Sequence, residues 1–490
     1  MIYQSTRDHR LAASSTRAVL DGIAADGGLY MLDHIAALDF DWRNLLEMDT
    51  LSMSAAILST LLPEFADMPA LVKSGYEGKF ETSELTPTVN VGDRHVLELF
   101  RGPTSAFKDV ALSLLPRLIT AARDAEGMEG EIVILTATSG DTGKAALEGF
   151  HDVPGTRIIV FYPHGGVSPV QQAQMTTQVG GNVCVCAVRG NFDDAQTGVK
   201  EIFAACAGRD LGGARLSSAN SINIGRLVPQ IVYYFKAYAD LVKAERIKAG
   251  QPVHFVVPTG NFGDILAGYY AMRMGLPIHR LICASNQNCV LADFFDSGTY
   301  DADREFFKTD SPSMDILISS NLERLLYEYA DRNADKVKEW MKQLNEDTVF
   351  SIGVKRSKEL KKIFWADYAD DEMTAAEIRR VFDRNEYLMD PHTAVASHVL
   401  QQYRMKTGDQ TTAVIVSTAS PYKFAPDVAA ALLGADAVED LDFFACAKRL
   451  EKLSGVAIPK QIHELRELPV RHNATCAPDA MEAAVMDALK

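Results

Sequence analysis

The chain has 490 residues, of which 47% are hydrophobic, so it can bury large cores and should divide into two or more domains. Its 49 Lys and Arg are outnumbered by 65 Asp and Glu, and the formal charge of −16 disfavours binding to nucleic acid or to an anionic membrane. The N-terminus, MIYQSTRDHR, lacks the apolar stretch of a signal peptide, and no apolar run reaches the roughly eighteen residues that cross a bilayer. We therefore expect a soluble cytoplasmic protein.

The first segment, residues 1–82, is predicted to be mostly helical. Helical periodicity runs through residues 14–26 and 45–62, and the sequence DGGLY at 26–30 is typical of a turn. No set of residues with catalytic spacing occurs there. We predict that this segment forms an N-terminal region of its own.

Residues 83–430 alternate between short β-rich runs and helical runs, which is typical of parallel strands joined by crossover helices. In the clearest unit, the strand EIVILT (131–136) leads through SGDTG into a helix at 144–150, and residues 253–274 repeat this plan. Further strands are predicted at 95–100, 157–163, 182–188, 279–285 and 413–420, and further helices at 168–179, 192–206, 220–242, much of 300–385, and 390–403. The fold class is therefore α/β.

Seven cysteines are present, an odd number without the spacing of a disulfide framework, so we expect reduced thiols that pack as small hydrophobic side chains. Cys184 and Cys186 lie two residues apart in a predicted strand and share one face. No neighbouring residue completes a metal site, and we predict no metal centre.

Lys108 stands out because patterning places it on an apolar helix face. The helix is predicted to begin at about Ala106, with Thr104 or Ser105 as its cap, and Pro116 interrupts it. The other residues on this face are Ala111, Leu112 and Leu115. A buried ammonium is costly unless its pKa falls or it forms an imine, and both suit a lysine that reacts with a carbonyl group. The alternative is a lysine that snorkels to solvent.

Two glycine-rich turns, each placed between a strand and a helix, resemble anion-binding loops. In GNFG, Gly260 and Gly263 let the backbone approach closely, so its amides and the helix dipole suit a phosphate. In SGDTG, the hydroxyls of Ser139 and Thr142 suit a carboxylate, whereas Asp141 would need a cation or a proton beside it. The alternative for each is an ordinary turn, and neither matches a nucleotide-binding motif. A reactive lysine together with both loops points to pyridoxal phosphate acting on an amino acid.

Several motifs in one order extend this hypothesis over nearly the whole chain. They are STR at 5–7, DGGLY at 26–30, GPTSAFKD, TATSGDTG, NSIN, VPTGNFGDILAGYY, SPSMDI at 311–316, SNLERLL at 320–326, DPHTAVA, and STASPYKF at 417–424. In this order they resemble the threonine synthase family, in its longer microbial and fungal branch, within the fold type II pyridoxal-phosphate enzymes. The resemblance implies a tryptophan synthase β-like fold with two parallel-sheet domains. The implied division is an N-terminal region at 1–82, a catalytic core at 83–430 with a smaller sheet domain inserted at about 120–225, and a helical extension at 431–490.

The resemblance also implies roles for individual residues. Lys108 would be catalytic and would hold the cofactor covalently. The cofactor phosphate would bind the loop formed by Gly260, Asn261, Phe262 and Gly263, perhaps with Asp264. Thr418 would contact the pyridine nitrogen, and Asp141 would lie near the cofactor hydroxyl. The alternative for Thr418 is a strand-end hydroxyl that caps the following helix.

The substrate implied by the resemblance is O-phospho-L-homoserine. Its carboxylate would bind at Ser139, Gly140 and Thr142. The leading candidate for its phosphate is Arg226, one helical turn after Asn223, because a guanidinium binds such an anion with two hydrogen bonds. Lys144 and Arg101 are alternatives, and each of the three cations could equally lie on the surface.

The implied reaction converts O-phospho-L-homoserine and water to L-threonine and phosphate, in a monomer or a homodimer. Arg101, Lys144 and Ser420 depart from residues that are common in the family, and these departures concern the substrate pocket more than the cofactor. Two alternatives stay open, another pyridoxal-phosphate lyase or dehydratase that yields a 2-oxo acid, and a relative without catalytic activity.

Overall fold

The computed structural model describes residues 2–35, 41–138, 140–206, 208–209 and 211–489. Ser139, a predicted carboxylate-binding residue, lies outside the described residues. Within them, no helix has both the length and the apolar composition needed to cross a membrane. All seven cysteines are free thiols, as predicted.

The N-terminal region contains a small sheet as well as the predicted helices. Its elements are β1 (Tyr3–Ser5), β2 (Ala12–Ala13), α1 (Ser15–Asp21), β3 (Tyr30–Leu32), α2 (Thr50–Leu61) and α3 (Met68–Tyr76). Ser14 caps α1 and Asp49 caps α2 with side-chain oxygens. Helix α1 is shorter than predicted because Gly22, with φ of 71°, ends it. The three strands pair antiparallel in the order β2-β1-β3, a sheet that the helical periodicity did not indicate.

The next elements lead into the lysine helix and then into a smaller sheet. They are β4 (Thr88–Val91), β5 (Arg94–Glu98), α4 (Lys108–Leu112), α5 (Leu115–Ala125), β6 (Ile132–Ala137), α6 (Asp141–Phe150), β7 (Thr156–Pro163), α7 (Pro169–Thr176), β8 (Val183–Val188), α8 (Phe192–Cys206) and β9 (Arg215–Ser218). The predicted lysine helix is split at Ser113 and Leu114, because Pro116 in the first turn of α5 lacks an N–H to continue α4.

The remaining elements complete the larger sheet and the C-terminal segment. They are α9 (Ile224–Lys243), β10 (Val253–Pro258), α10 (Gly263–Arg273), β11 (Ile278–Ser285), α11 (Val290–Ser297), β12 (Thr299–Asp301), α12 (Leu322–Tyr329), α13 (Ala334–Asp347), β13 (Val349–Ser351), α14 (Gly353–Leu360), β14 (Phe364–Tyr368), α15 (Asp371–Asn385), α16 (Pro391–Thr407), β15 (Ala413–Ser417), α17 (Ala425–Leu433), α18 (Phe443–Ser454), α19 (Lys460–His463), β16 (Ala474–Cys476) and α20 (Met481–Ala488).

Two parallel sheets form the framework, as predicted. The larger has the order β14-β11-β10-β15-β5-β4, and its neighbouring strands are parallel except for β4 against β5. The smaller has the order β16-β8-β7-β6-β9 and is parallel throughout. Central strands β6 and β10 are buried at every position, as expected for parallel strands covered by helices on both faces.

The C-terminal segment is not purely helical, as the extension at 431–490 was predicted to be. Strand β16 pairs with β8 and adds an edge strand to the smaller sheet. There the Sγ atoms of Cys186 and Cys476 lie 3.5 Å apart. The end of the chain therefore packs on the small-sheet domain, while the division of the chain into domains remains a prediction.

Candidate functional site

Three neighbouring strands of the larger sheet, β5, β15 and β10, carry the predicted site residues just beyond their carboxyl ends. Their register aligns Ser417 with Glu98 and Val256 with Ile415, so the three strands end at one edge of the sheet. Ligands of open α/β sheets bind outside this edge. Lys108 follows β5, Thr418 follows β15, and GNFG follows β10.

The loop before Lys108 is held against the chain that follows β15. Phe107 N donates to Thr418 O at 2.8 Å, and Ser420 N donates to Ser105 O at 3.0 Å. Neither Thr104 nor Ser105 caps the lysine helix, contrary to the prediction, because α4 begins later and has no side-chain cap. These contacts fix the direction in which Lys108 leaves the loop.

Lys108 is buried, with 9% of its surface exposed, so it does not snorkel to solvent. Its Nζ lies 3.9 Å from Oδ2 of Asp141 and 4.6 Å from the ring centre of Phe107. Burial lowers the pKa of the Lys108 amine to about 8, against the attraction of Asp141. A substantial fraction of this amine is therefore neutral near physiological pH, as a nucleophile or base must be.

Asp141 opens helix α6 and pairs with a cation, one of the two outcomes predicted for an acid in this loop. Lys423 Nζ lies 2.6 Å from its Oδ1, and Gln171 Nε2 donates to the same oxygen at 3.0 Å. Burial alone would raise the pKa of Asp141, but Lys423, Lys108 and this hydrogen bond outweigh burial and hold the pKa well below its usual range. Asp141 is therefore a permanent anion beside Lys108.

The turn that precedes Asp141 also leaves backbone donors available. Gly140 has φ of 149° and ψ of −96°, a conformation suited to glycine. The Oγ1 of Thr138 accepts hydrogen bonds from Gly140 N at 3.0 Å and from Gly143 N at 2.9 Å, so among the described residues the donors left for a ligand are the amides of Asp141 and Thr142. Thr142 is half-buried in the first turn. Because the first amides of a helix lack intrahelical partners, this end of α6 suits a carboxylate.

The GNFG turn has the geometry of an anion-binding loop. A side chain at Gly260 would place Cβ 2.6 Å from Ser313 O, so only glycine fits there. Phe262 takes φ of 66° immediately before α10, which likewise has no side-chain cap. The amides at the start of α10 can therefore point at a phosphate.

Side chains from the SNLERLL motif and from the serine directly before it hold this turn by its carbonyl groups. Ser319 Oγ donates to Gly260 O at 2.7 Å, and Asn321 donates to Asn261 O from both its backbone N and its Nδ2, each at 3.1 Å. Arg324, fully buried, donates to Asn321 Oδ1 and to the backbone oxygens of Tyr30 and Ile222. The loop's carbonyls are thus occupied while its amides are not capped.

Asp264 lies in the first turn of α10 and contacts two tyrosines. The hydroxyls of Tyr233 and Tyr234 donate to its Oδ1 at 2.6 and 2.8 Å, and its Oδ2 has no partner among the described residues. Burial raises the pKa of this carboxyl to about 6. These contacts position the helix start.

Thr418 is buried at the end of β15. The alternative role predicted for its hydroxyl, capping the following helix, belongs to Ser420 instead. Ser420 Oγ accepts from Tyr422 N at 3.3 Å and caps the short 3-10 helix Pro421–Phe424. The contact of the Thr418 hydroxyl with a cofactor remains a prediction.

The three candidate cations differ in their partners. Arg101 forms salt bridges to Glu98 at 2.6 Å and to Glu81 at 3.1 Å. Lys144 Nζ lies 3.0 Å from Glu148 Oε2. Neither is a free cation.

Arg226, by contrast, is 3% exposed and has no carboxylate within salt-bridge distance in the part of the chain that the structure describes. Its Nη1 donates to Ala219 O at 3.0 Å, and its buried Nε lacks a partner there. Burial lowers the pKa of the Arg226 guanidinium to about 10, so it stays charged at neutral pH. Asn223 is occupied structurally, since it caps α9 and donates to Val19 O and Ser218 O at 3.0 Å.

Sequence reasoning missed three polar residues of the site, Lys423, Gln171 and Asn321. Asn321 and Lys423 lie inside motifs, and Lys423 is the lone charge of STASPYKF, whereas Gln171 lies in no motif. A lysine between apolar neighbours in a site motif was the available signal. Its partner, Asp141, is 282 positions away, beyond the reach of any spacing rule.

The residues present fit a phosphorylated aldehyde cofactor. A buried amine of lowered pKa, Lys108, can form the imine, and the uncapped start of α10 beyond Gly260 can bind the phosphate. The orphaned Nε of Arg226 adds a donor near Lys108, whose pKa its charge also lowers. Both the covalent and the anionic requirement of the cofactor are met.

Comparison with known proteins gives consistent matches. Residues 95–419 match the family described as pyridoxal-phosphate dependent enzyme, residues 2–74 the threonine synthase N terminus, and residues 393–485 the threonine synthase C-terminal family. The threonine synthase of Pseudomonas aeruginosa is 39% identical over 89% of this chain and 91% of its own length. Human threonine synthase-like 1 is 38% identical over 85% of this chain, which spans only 58% of that relative.

A solved structure adds the fold. The crystal structure of pyridoxal-phosphate-bound threonine synthase from Brucella melitensis superposes with a TM-score of 0.87 and 36% identity, and each chain is covered completely. The match extends over both sheets and the N- and C-terminal segments. The chain therefore belongs to the threonine synthase family of pyridoxal-phosphate-dependent enzymes.

Proposed function

We propose that this chain is a threonine synthase, which converts O-phospho-L-homoserine and water to L-threonine and phosphate. The observation that carries the proposal is the buried Lys108 amine, with a pKa of about 8, placed 3.9 Å from the carboxylate of Asp141. The starts of α6 and α10 and the guanidinium of Arg226, which has no carboxylate partner among the described residues, supply separate places for three anions, two from the substrate and one from the cofactor.

Lys108 holds pyridoxal phosphate, whose phosphate binds the backbone amides of Gly260 to Gly263. Bound there, the cofactor supplies an electron sink that acidifies the C–H bonds of the amino acid. Asp264 holds the first turn of α10 through its tyrosine contacts, so it supports the loop rather than contacting the anion. Thr418 offers a hydroxyl to the pyridine nitrogen and Asp141 faces the cofactor hydroxyl.

Lys108 then moves protons, because its amine is free once the substrate amine has taken its place. In the neutral form it takes a proton from the substrate Cα and passes protons to and from Cβ. Its burial keeps water away from that nitrogen and favours the neutral form. Water attacks Cβ after phosphate leaves Cγ.

Two anionic groups position the substrate. The Thr142 amide, with the hydroxyls of Ser139 and Thr142, binds the carboxylate at the positive end of α6. Gly140 shapes this turn, and its own amide donates to Thr138 Oγ1 at 3.0 Å. Arg226 binds the phosphate, since Lys144 and Arg101 are neutralised by carboxylates. When phosphate leaves the substrate, its negative charge moves away from the buried guanidinium of Arg226.

Borohydride reduction followed by digestion tests the anchor. The expected result is a cofactor-labelled peptide containing Lys108, together with equimolar phosphate and threonine released from O-phosphohomoserine by the untreated protein. A label on another lysine, or no label, contradicts the assignment. Lys423→Arg serves as a control with an altered second lysine and an intact Lys108.

A second candidate is a lyase or dehydratase that gives a 2-oxo acid and ammonia from a related amino acid. The similarity to human threonine synthase-like 1 favours keeping it, since that identity, 38%, is close to the 39% identity to the threonine synthase of Pseudomonas aeruginosa. Product analysis separates the two, because 2-oxobutyrate without threonine supports the second. The cytoplasmic location and the oligomeric state, monomer or homodimer, also remain predictions.

A further inference from the structure

Lys423 is a buried cation that the reaction above does not use. Its side chain is fully buried, and its Nζ lies 2.6 Å from Asp141 Oδ1 and donates to Thr104 O at 3.1 Å. Thr104 belongs to the loop that presents Lys108, and Asp141 opens a helix of the smaller sheet. Lys423 therefore links the loop that presents Lys108 to the helix that Asp141 opens, and it does so beside Lys108.

Asp141 meets two lysines on its two oxygens, and they are not equivalent. Lys423 contacts Oδ1 at 2.6 Å with no exposure, whereas Lys108 stands 3.9 Å from Oδ2. At these distances Lys423 is the hydrogen-bonded counterion and Lys108 is the looser one. Without Lys423, Lys108 would be the nearest cation to a buried carboxylate in the described chain, and that carboxylate would favour a protonated Lys108.

We propose that Lys423 is a positioning residue that serves as the permanent counterion of Asp141 and so leaves Lys108 free to lose its proton. This inference rests on the proposed role of Lys108 as the cofactor-binding lysine. The charged groups around Lys108 support the assignment: Asp141 and Asp109 favour its protonated form, while Arg226 and Lys423 oppose it. Asp264 lies within electrostatic range as well, and its carboxyl has a pKa raised by burial to about 6.

The test is a pH titration of the bound cofactor's absorbance in the holoenzyme, which reports protonation of the nitrogen that Lys108 contributes. Lys423→Met should raise the midpoint by about one pH unit or more, a tenfold shift in the protonation equilibrium. Lys423→Arg keeps the charge and should keep the original midpoint. Asp141→Asn should lower the midpoint, because the carboxylate that favours the proton is gone.

The double variant, Lys423→Met with Asp141→Asn, removes the pair as a unit and should return the midpoint towards that of the unaltered protein. It also leaves neither member of the pair behind as an unpaired buried charge, so it is informative even if Lys423→Met alone does not fold. A folded Lys423→Met protein with an unchanged midpoint overturns the inference. So does a double variant whose midpoint stays as high as that of a folded Lys423→Met protein.

The outcome for Lys423 is distinguishable from the outcome for the proposed function. If the unaltered protein shows no cofactor absorbance or forms no threonine, the function has failed before any variant is compared. If the unaltered protein binds the cofactor and forms threonine, but substitution of Lys423 does not change the titration midpoint, only the counterion role is refuted. A purely structural Lys423 would make the arginine and methionine variants lose thermal stability without this pattern of shifts.

Discussion

Replacement of Arg226 by methionine should weaken substrate binding while leaving the folded protein as stable as before, or more stable. The guanidinium is buried and has no carboxylate partner among the described residues. Burial lowers its pKa from the ordinary value of arginine to about 10, which corresponds to a cost of roughly 3 kcal/mol for keeping it charged. Because the folded pKa lies below the unfolded one, this cost is fully present at neutral pH and disappears only as pH rises above about 10 towards the ordinary pKa of arginine.

Methionine removes that cost together with the hydrogen bond from Nη1 to Ala219 O. A hydrogen bond of a charged group contributes about 1.5 to 3 kcal/mol, so the two effects nearly cancel or leave a small gain. In the complex, however, the substrate phosphate would lose its buried partner, which costs about 2 to 5 kcal/mol. We therefore expect the midpoint of thermal unfolding to stay constant or rise, and kcat/KM for O-phosphohomoserine to fall by about 30-fold to 1000-fold or more.

The assays are differential scanning calorimetry and steady-state kinetics, with affinity for a phosphonate analogue of the substrate as a direct measure of binding. Lys144→Met is the matched control, since it removes a cation that is largely buried, as Arg226 is, but is already paired with Glu148. It should affect KM and binding of the analogue little, even where it lowers stability. An Arg226→Met protein that unfolds several degrees earlier but binds the analogue normally would refute the reasoning, because the guanidinium would then be structural.

Three further outcomes follow from the same structure. The rate at which cofactor-free protein binds pyridoxal phosphate should rise about tenfold per pH unit and level off above about pH 8. The reason is that only the neutral Lys108 amine attacks the aldehyde, and burial lowers the pKa of that amine to about 8. A rate that stays constant between pH 6 and 9 would contradict this. Gly149→Ala places Cβ 2.0 Å from Leu112 O and should cost about 1 to 3 kcal/mol in thermal denaturation, whereas Gly181→Ala, with no atom closer than 3.7 Å, should not. Arg324→Met removes three buried hydrogen bonds behind the phosphate loop and should weaken cofactor retention, measured by dialysis and absorbance, by tenfold or more.

Much of the fold could be predicted because buried parallel strands and amphipathic helices leave strong local patterns. Helix α8 begins and ends where periodicity places it, and β6 and β10 are the continuous apolar runs expected of central parallel strands. The glycine turns after them were recognisable because turn residues separate a strand from a helix. The order of the motifs, rather than any single one, predicted the family, and the comparisons confirm it.

The parts that could not be predicted depend on contacts between distant segments. Strand β16 has three residues, ATC, and is a strand only because β8 offers it an edge. The small N-terminal sheet has equally short strands. The early end of α1 follows from Gly22, which the periodicity of the neighbouring residues concealed.

The spacing of charged residues in the sequence already distinguishes the three candidate cations. Lys144 is followed four positions later by Glu148 on one helix, and Arg101 follows Glu98 by three positions, and both pairs form salt bridges. No acidic residue lies within four positions of Arg226 on either side. A cation without a local carboxylate, at the start of a long apolar helix, must find its counterion elsewhere in the chain or in a ligand. In the described structure no such carboxylate reaches it, which leaves a ligand, and the ligand that we propose is the substrate phosphate.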